Sequence, residues 1–266
     1  MKISIIIPLG FGIDPILLIS KKLLKVFNFP FEIIFIIDDD LVYDLSLINF
    51  QLQNLTKQNH YFSFILYRTL SRSGPGNARN IGLNLATGEW ILFLDSDDYL
   101  LIDKFDSINL HNDNIDFIIL NFIDQDDFMS NNILLDTIPP FINHSSNILI
   151  DAVNYSGYFP NQIQQYLIKK SYLINFEIQF DPIFIHEDLI FCYKVLINSS
   201  YFQYINLDFY FYTSSPFSTK KLSSLDRALD VYYCLYKYFL LTKNSYELVI
   251  NVLDKYILKR TIIIFN

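Results

Sequence analysis

Cysteine is scarce in this chain: only Cys192 and Cys234 occur in 266 residues. They stand far apart with no Cys-x-x-Cys spacing, which excludes a disulfide framework and a cysteine-based zinc site and points to a reducing, cytoplasmic compartment. Positive charge is also in short supply. Twenty Lys and Arg against 28 Asp and Glu leave a formal charge of -8 and a pI near 4.9, a balance that argues against a nucleic-acid binder, which needs clustered cations for phosphate. Long apolar runs are missing as well. The first one is interrupted by Pro8 and is too short for the core of a signal peptide or a membrane span, so it is expected to be a buried strand. Glycine is limited to seven residues, while 52% of the chain is hydrophobic, with 25 Phe and 19 Tyr. Such a composition does not stay disordered, and folding must hide many aromatic rings.

The length suits one large α/β domain or two small ones. Ile3 to Ile7 and Ile33 to Ile37 are short β-branched runs of the kind a parallel sheet buries on both faces, and the stretch Pro15 to Phe27 between them has helical patterning. Further strands are expected at Tyr61 to Tyr67, Trp90 to Leu94 and Ile115 to Phe122, with a helix from Pro75 to Ala86. Alternation of this kind implies an open, mostly parallel sheet flanked by helices, with ligands beyond the carboxyl ends of its strands. Residues 124 to 165, rich in Asn, Asp, Ser and Pro, read as loops and short helices around a cleft. From Leu222 onward the pattern is helical.

Acids gather at the expected strand ends. Asp95-Ser96-Asp97-Asp98 closes the Trp90 to Leu94 run, where one or two carboxylates could hold a divalent cation and leave room for phosphate oxygens. A solvated acidic turn is an equal alternative for the cluster taken alone. An EF-hand loop starting at Asp95 fails, because Leu100 and Asp106 occupy the places of its Gly and Glu. Asp38, Asp39 and Asp40 close the second strand; Asp38 and Asp39 could accept hydrogen bonds from a nucleotide's base or ribose, or be ordinary loop acids. Receiver domains place paired acids after their first strand, whereas here that strand ends in Pro8-Leu9-Gly10.

The segment Arg72-Ser73-Gly74-Pro75-Gly76-Asn77-Ala78-Arg79-Asn80 leads from a turn into a helix and offers backbone N–H groups and two guanidinium groups, a candidate anion site or a plain Gly/Pro turn. His186-Glu187-Asp188 opens the amphipathic stretch Leu189 to Leu196, so both acids fall in a helical first turn. The helix dipole there favours the ionised carboxylate that a general base requires, although capping alone would also explain the acids. The four histidines share no metal-ligand spacing, and no Gly-x-Ser-x-Gly turn marks a nucleophile.

Taken together, the segments resemble the family 2 glycosyltransferases. The likeness is strongest from Gly74 to Tyr99, where GPGNARNIGLNLATGEWILFLDSDDY follows the family's ARN-x-G, A-x-G-x-Y/W and FLDSDD pattern. ISIIIP at the start, FEIIFIIDD at 31 to 39, IDFIIL, and FDPIFIHEDLIF with its ED pair follow in order. The resemblance implies an α/β GT-A fold: a mostly parallel central sheet flanked by helices over residues 1–215, divided into a nucleotide-sugar-binding half (1–100) and an acceptor-side half (101–215). Residues 216–266 would form a helical C-terminal tail.

The same likeness implies an inverting transfer from a nucleotide-diphosphate sugar, a UDP-sugar foremost, to a glycan or glycolipid acceptor, in bacterial surface polysaccharide or lipo-oligosaccharide synthesis. Pro8, Asp38, Asp39, Arg79, Asp95 and Ser96 would bind the nucleotide sugar, and Asp97 would ligate Mn or Mg. Asp188, with Glu187 beside it, would be the catalytic base. Pro8-Leu9-Gly10-Phe11 departs from the family's P-x-Y/F-N, and Asp40-Leu41 replaces the Gly-Ser of DDGS-type members. A nucleotidyltransferase and a catalytically silent nucleotide-binding module are the competing readings. The tail could contact a membrane surface peripherally or form a homodimer.

Overall fold

The computed structural model of the protein describes residues 1–25, 27–101, 108–112, 114–124, 143–144, 162–184, 186–199, 201–212 and 233. In chain order, β1 (Ile3–Leu9), α1 (Pro15–Leu23), β2 (Phe31–Ile37), α2 (Ser46–Gln58), β3 (Phe62–Arg68), α3 (Pro75–Leu85) and β4 (Trp90–Phe93) make the first half. The second half contains β5 (Tyr99–Leu100), β6 (Phe117–Asp124), β7 (Asn143–His144), a 3-10 turn at Ile163–Gln165, β8 (Tyr166–Lys169), α4 (Lys170–Asn175), α5 (Glu187–Asn198) and β9 (Phe202–Tyr212). The tail expected over 216–266 lies, apart from Tyr233, outside the described residues, as do most of the loops expected over 124 to 165.

All these strands join one sheet in the order β3-β2-β1-β4-β8-β6-β9-β5, with β7 added beside β9. Its first half is parallel throughout: Ile3 lies opposite Phe31 on one side and Trp90 on the other, so β1, β2 and β4 end at a common edge. β8 runs antiparallel between β4 and β6, and β9 returns parallel to β6.

The β-branched runs suit this arrangement because both faces of the sheet are covered. Ile6, Ile34, Ile36, Ile91 and Phe93 pack with α3 and α5 on one side. Their alternates Ile5, Ile7, Ile33, Phe35 and Leu92 pack with Ile16, Ile19 and Leu23 of α1 and Leu52 of α2 on the other. Helix α1 stops at Leu23, short of the expected Phe27. That ring leaves the helical face to pack on Phe31 at 4.9 Å, while Pro30 bars further helix.

At the amino edge, away from the acid clusters, buried Glu32 accepts from Lys2 Nζ at 2.7 Å, Ser4 Oγ at 2.5 Å and the Thr87 N–H at 2.6 Å. Burial pushes its pKa up, but these donors outweigh burial and hold it below the usual glutamate range. Helix α3 approaches β1 so closely that a Cβ on Gly82 would sit 2.3 Å from Ile6 Cγ2. Glycine here sets the height of α3 above the sheet, and thereby where Arg79 points.

Gly82→Ala should destabilise the fold by about 1–3 kcal/mol, because the clash with a buried β-branched side chain exceeds the helix-propensity gain of about 1 kcal/mol. Denaturant midpoints of the two proteins check this.

Candidate active site

The turn between β3 and α3 is built around Asp38. Its carboxylate accepts from Thr69 Oγ1 at 2.9 Å, the Ser73 N–H and Oγ at 2.9 Å each, and the Gly74 N–H at 2.8 Å. A fully hydrogen-bonded carboxylate of this kind is an internal strut, and it delivers the chain into the N-terminus of α3. Gly74 adopts φ +91°, a region that suits glycine, with the Phe184 ring against it. Asp39 accepts from the Gly12 N–H and the Leu41 N–H, both at 3.1 Å, and from the Tyr43 hydroxyl at 2.5 Å. The hydrogen bond to this carboxylate, with burial and the carboxylate's charge adding to it, pushes the Tyr43 phenol up to about 12. Asp39 thus ties the loop after β1 to the loop after β2. Pro8 is half-buried in β1 opposite Ile36. Arg72 places its guanidinium over the Phe11 ring at 5.0 Å, and Phe11 is itself exposed.

The acids after β4 divide their tasks. Asp95 accepts from Arg79 Nη2 at Oδ1, 2.8 Å away, and from Gln164 Nε2 at Oδ2, 2.5 Å away. Buried Asp98 accepts from the Tyr210 hydroxyl of β9, and its N–H closes the turn on the Asp95 carbonyl at 3.2 Å. Ser96 is half-exposed and Asp97 is exposed. Among the described residues, no three His, Cys, Asp or Glu side chains converge as a ready-made metal centre. Exposed Asp97 nevertheless fits a cation of the Mg or Mn kind, which can be held by one or two carboxylates together with a ligand's phosphate oxygens.

Helix α3 carries these loops to α5. Asn80 pairs twice with the Phe180 backbone, donating to its carbonyl and accepting from its N–H, both at 2.9 Å. A Cβ on Gly76 would lie 3.2 Å from Glu187 Cγ and from the Asp181 carbonyl, so the two segments are in contact. Arg79 then spans the gap: Nη1 donates to Glu187 Oε1 at 2.7 Å while Nη2 holds Asp95. Its side chain is only 5% exposed. Burial works against its charge, yet the two carboxylates outweigh burial and raise its pKa further.

Glu187 and Asp188 open α5 as expected. Burial pushes Glu187 up to about 7, with the Asp188 charge adding to it and Arg79 opposing. Burial raises Asp188 also, against the pull of Arg79 and His186. The helix terminus was expected to favour the ionised forms, but desolvation prevails. Asp188 is less deeply covered than Glu187 and takes one hydrogen bond at 2.8 Å from the Leu189 N–H of its own helix. His186, just before them, holds φ +66°, a conformation that non-glycine residues adopt at some energetic cost.

Of the residues singled out from the sequence, Arg79, Asp95 and Glu187 are therefore brought into direct contact, with Asp188 adjoining and near enough to feel the Asp95 charge. Asp38 and Asp39 stand at the same sheet edge, and Asp38 is joined to this group through the turn that starts α3. Gln164, Asn80, Thr69 and Ser73 are the participants that no candidate role had been given. Asn80 lies inside the ARN segment, where a signal existed; Gln164 carried none.

Residues 4–108 match the family model described as Glycosyl transferase family 2. Among curated proteins, the poly(ribitol-phosphate) beta-glucosyltransferase of Bacillus spizizenii is 40% identical over 105 residues, which cover 38% of this chain and 15% of that protein. An uncharacterized glycosyltransferase of Haemophilus influenzae is 54% identical over 39 residues, 15% of this chain and 16% of that one. The matched stretch is thus a small part of those relatives' length.

Similarity in fold runs further. S. aureus TarS 1–349 in complex with UDP superposes with a TM-score of 0.66 at 20% identity, covering 96% of this chain and 71% of that one. The mannosyltransferase PcManGT of Pyrobaculum calidifontis, in complex with GDP-Man and Mn2+, reaches 0.58 at 12% identity, covering 92% of this chain and 65% of that one. The GT-A fold expected from the sequence is the fold observed, with a mostly parallel central sheet flanked by helices.

Arg79→Met should cost about 3–5 kcal/mol, because it leaves Glu187 and Asp95 without the cation that compensates them. Equilibrium unfolding measures the loss. It should be smaller in a Glu187→Gln background, where one of the stranded charges is gone.

Proposed function

We propose that the protein, whose residues 4–108 match the Glycosyl transferase family 2 model, moves a sugar from a nucleotide-diphosphate sugar to a hydroxyl of a glycan or glycolipid, with inversion at the anomeric carbon. The observation that carries this reading is the Arg79 bridge. It joins the acid turn after β4, on the donor side, to the acid pair that opens α5. A reaction that must hold a diphosphate and deprotonate an acceptor at one place needs such a junction.

In this reading the strand ends and the loops carrying Pro8, Asp38, Asp39 and Ser96 form the floor for the nucleotide sugar. Asp39 positions the loop that bears Phe11, and Asp38 positions the turn that bears Arg72. Asp95 faces the ribose side, and Arg79 acts on the donor by holding that carboxylate in place. A Mn or Mg ion held by Asp97 and the donor's phosphate oxygens would neutralise charge on the departing diphosphate. TarS has been crystallised with UDP and UDP-GlcNAc, which favours a UDP-sugar donor. The glucosyltransferase relative, by its name, acts on poly(ribitol-phosphate), which favours a bacterial surface polymer as acceptor. No described helix is long and apolar enough to cross a membrane. A cytoplasmic or membrane-peripheral site of action would suit an acceptor built on the inner face.

Asp188 is the base. It takes the proton of the acceptor hydroxyl, whose oxygen forms the new bond to the anomeric carbon as the bond to the diphosphate breaks on the opposite face. The diphosphate leaves with that electron pair. Glu187 is committed to Arg79 and is more deeply buried, which leaves Asp188 as the carboxylate able to meet an acceptor.

Asp188→Asn should lower the transfer rate by about 10²- to 10⁴-fold with donor affinity retained, whereas Glu187→Gln should lower it less and reduce stability. Steady-state rates with a panel of UDP-, GDP- and dTDP-sugars measure both, and loss of transfer only in Glu187→Gln would reassign the base. A base must be ionised to act, and burial raises Asp188. The acid limb of kcat/KM should therefore lie above the ordinary aspartate range near about 3.9, with activity increasing as pH rises through it.

Asp97→Ala should abolish the manganese dependence of UDP binding, read by calorimetry with and without MnCl2. Transfer that persists undiminished in EDTA would reject a cation role.

A further inference from the structure

Gln164 has no role in the reaction as set out above, yet its place in the fold is constrained. It lies in the 3-10 turn that leads into β8, and β8 runs antiparallel beside β4 with Leu167 opposite Leu92. Continuing that register for three steps brings Gln164 across from Asp95. Its amide Nε2 donates to Asp95 Oδ2 at 2.5 Å, while Arg79 holds Oδ1 of the same carboxylate. Gln164 is 8% exposed and the Asp95 side chain 26%, so the bond is partly screened from water and is made to a charged acceptor.

The chemical type matters as much as the distance. A lysine at this place would add a cation and draw Asp95 away from Arg79; a glutamate would repel it. A neutral amide donor fixes the second oxygen and leaves the charge balance among Arg79, Asp95 and Glu187 unchanged. With both oxygens engaged, Asp95 is restricted to one orientation. The turn closed by the Asp98 N–H on the Asp95 carbonyl is then anchored at its first residue, and Asp97 is carried by that turn.

We infer that Gln164 is a positioning residue for the donor: it locks Asp95 from the acceptor-side half of the chain so that the Asp95–Asp98 turn is preset for a nucleoside diphosphate. The inference rests on the functional reading above and extends it. The two halves of the sheet meet at β4 and β8, so donor affinity depends on a side chain contributed by the half that does not hold the nucleotide.

The probe is UDP with MnCl2, titrated calorimetrically into the full chain, with melting temperature measured alongside. Gln164→Met, close in volume, should weaken UDP binding about tenfold or more, the scale of one hydrogen bond to a charged group. In a sugar-transfer assay it should raise the donor KM with little change in kcat at saturation. Gln164→Glu should bind more weakly still, and Gln164→Asn, which keeps the amide one methylene shorter, should recover part of the affinity.

In an Asp95→Ala background, Gln164→Met should have no further effect on UDP affinity. A purely structural glutamine would lower affinity equally in both backgrounds, and that result, or wild-type affinity in Gln164→Met, would overturn the inference. Failure of the wild-type chain to bind UDP, GDP or dTDP with manganese would instead overturn the proposed function, and this inference with it.

Discussion

One buried cation organises the site. Arg79 comes from α3, Asp95 from the end of β4 and Glu187 from the start of α5, and the guanidinium, nearly sealed from water, reaches both acids at hydrogen-bond distance. A charge so placed is tolerable only because it is paired twice, and buried Glu187 in turn depends on Arg79. The three elements can therefore pack only in a geometry that satisfies all three groups together. Close packing makes this reach feasible: Gly76 lets α3 touch the segment ahead of α5, and Gly82 lets the same helix settle on Ile6.

An acid-rich sheet edge is an unpromising place for a diphosphate in a chain with a formal charge of -8. The geometry removes most of that difficulty. Asp38 is surrounded by hydroxyl and N–H donors from residues 69 to 74, Asp95 by Arg79 and Gln164, and Asp98 accepts from Tyr210. Carboxylates whose oxygens are turned onto internal donors present less negative potential to a ligand and serve as rigid fixtures for the loops they hold. In the proposed reading, Asp97, exposed at the same turn, would hold a cation, which would convert negative charge at that place into attraction for phosphate.

The parallel half of the fold was legible because its strands are β-branched runs bounded by turn residues. The α3 helix was legible from Pro75 at its start, and the α5 acids from their place before an apolar stretch. Helix α2 was not recognised: its inward set, Leu45, Ile48, Leu52 and Leu55, has helical spacing, but exposed Leu47 and Phe50 blur the pattern. β8 is four residues long and lies beyond a stretch with no period, so the antiparallel join at β4 had no signal. Nor can composition show which acid faces inward. The donors to Asp38 lie 31 to 36 residues further along the chain, and Gln164 meets Asp95 across 69. Those contacts are products of topology.

The adjacency of Glu187 and Asp188 illustrates how topology assigns roles that residue type leaves open. Successive residues of an α-helix are turned by about 100°, so two neighbouring acids cannot both face Arg79. Glu187, with the longer side chain, faces α3 and closes the ion pair; Asp188 is rotated away and less deeply covered, and its hydrogen bond comes from its own helix. Burial raises both groups, but only Glu187 has a direct guanidinium partner. Rotating α5 to exchange them would break the Glu187–Arg79 pair and leave the guanidinium with Asp95 alone. The different settings of the two acids are therefore held by the same cation that joins the halves of the molecule.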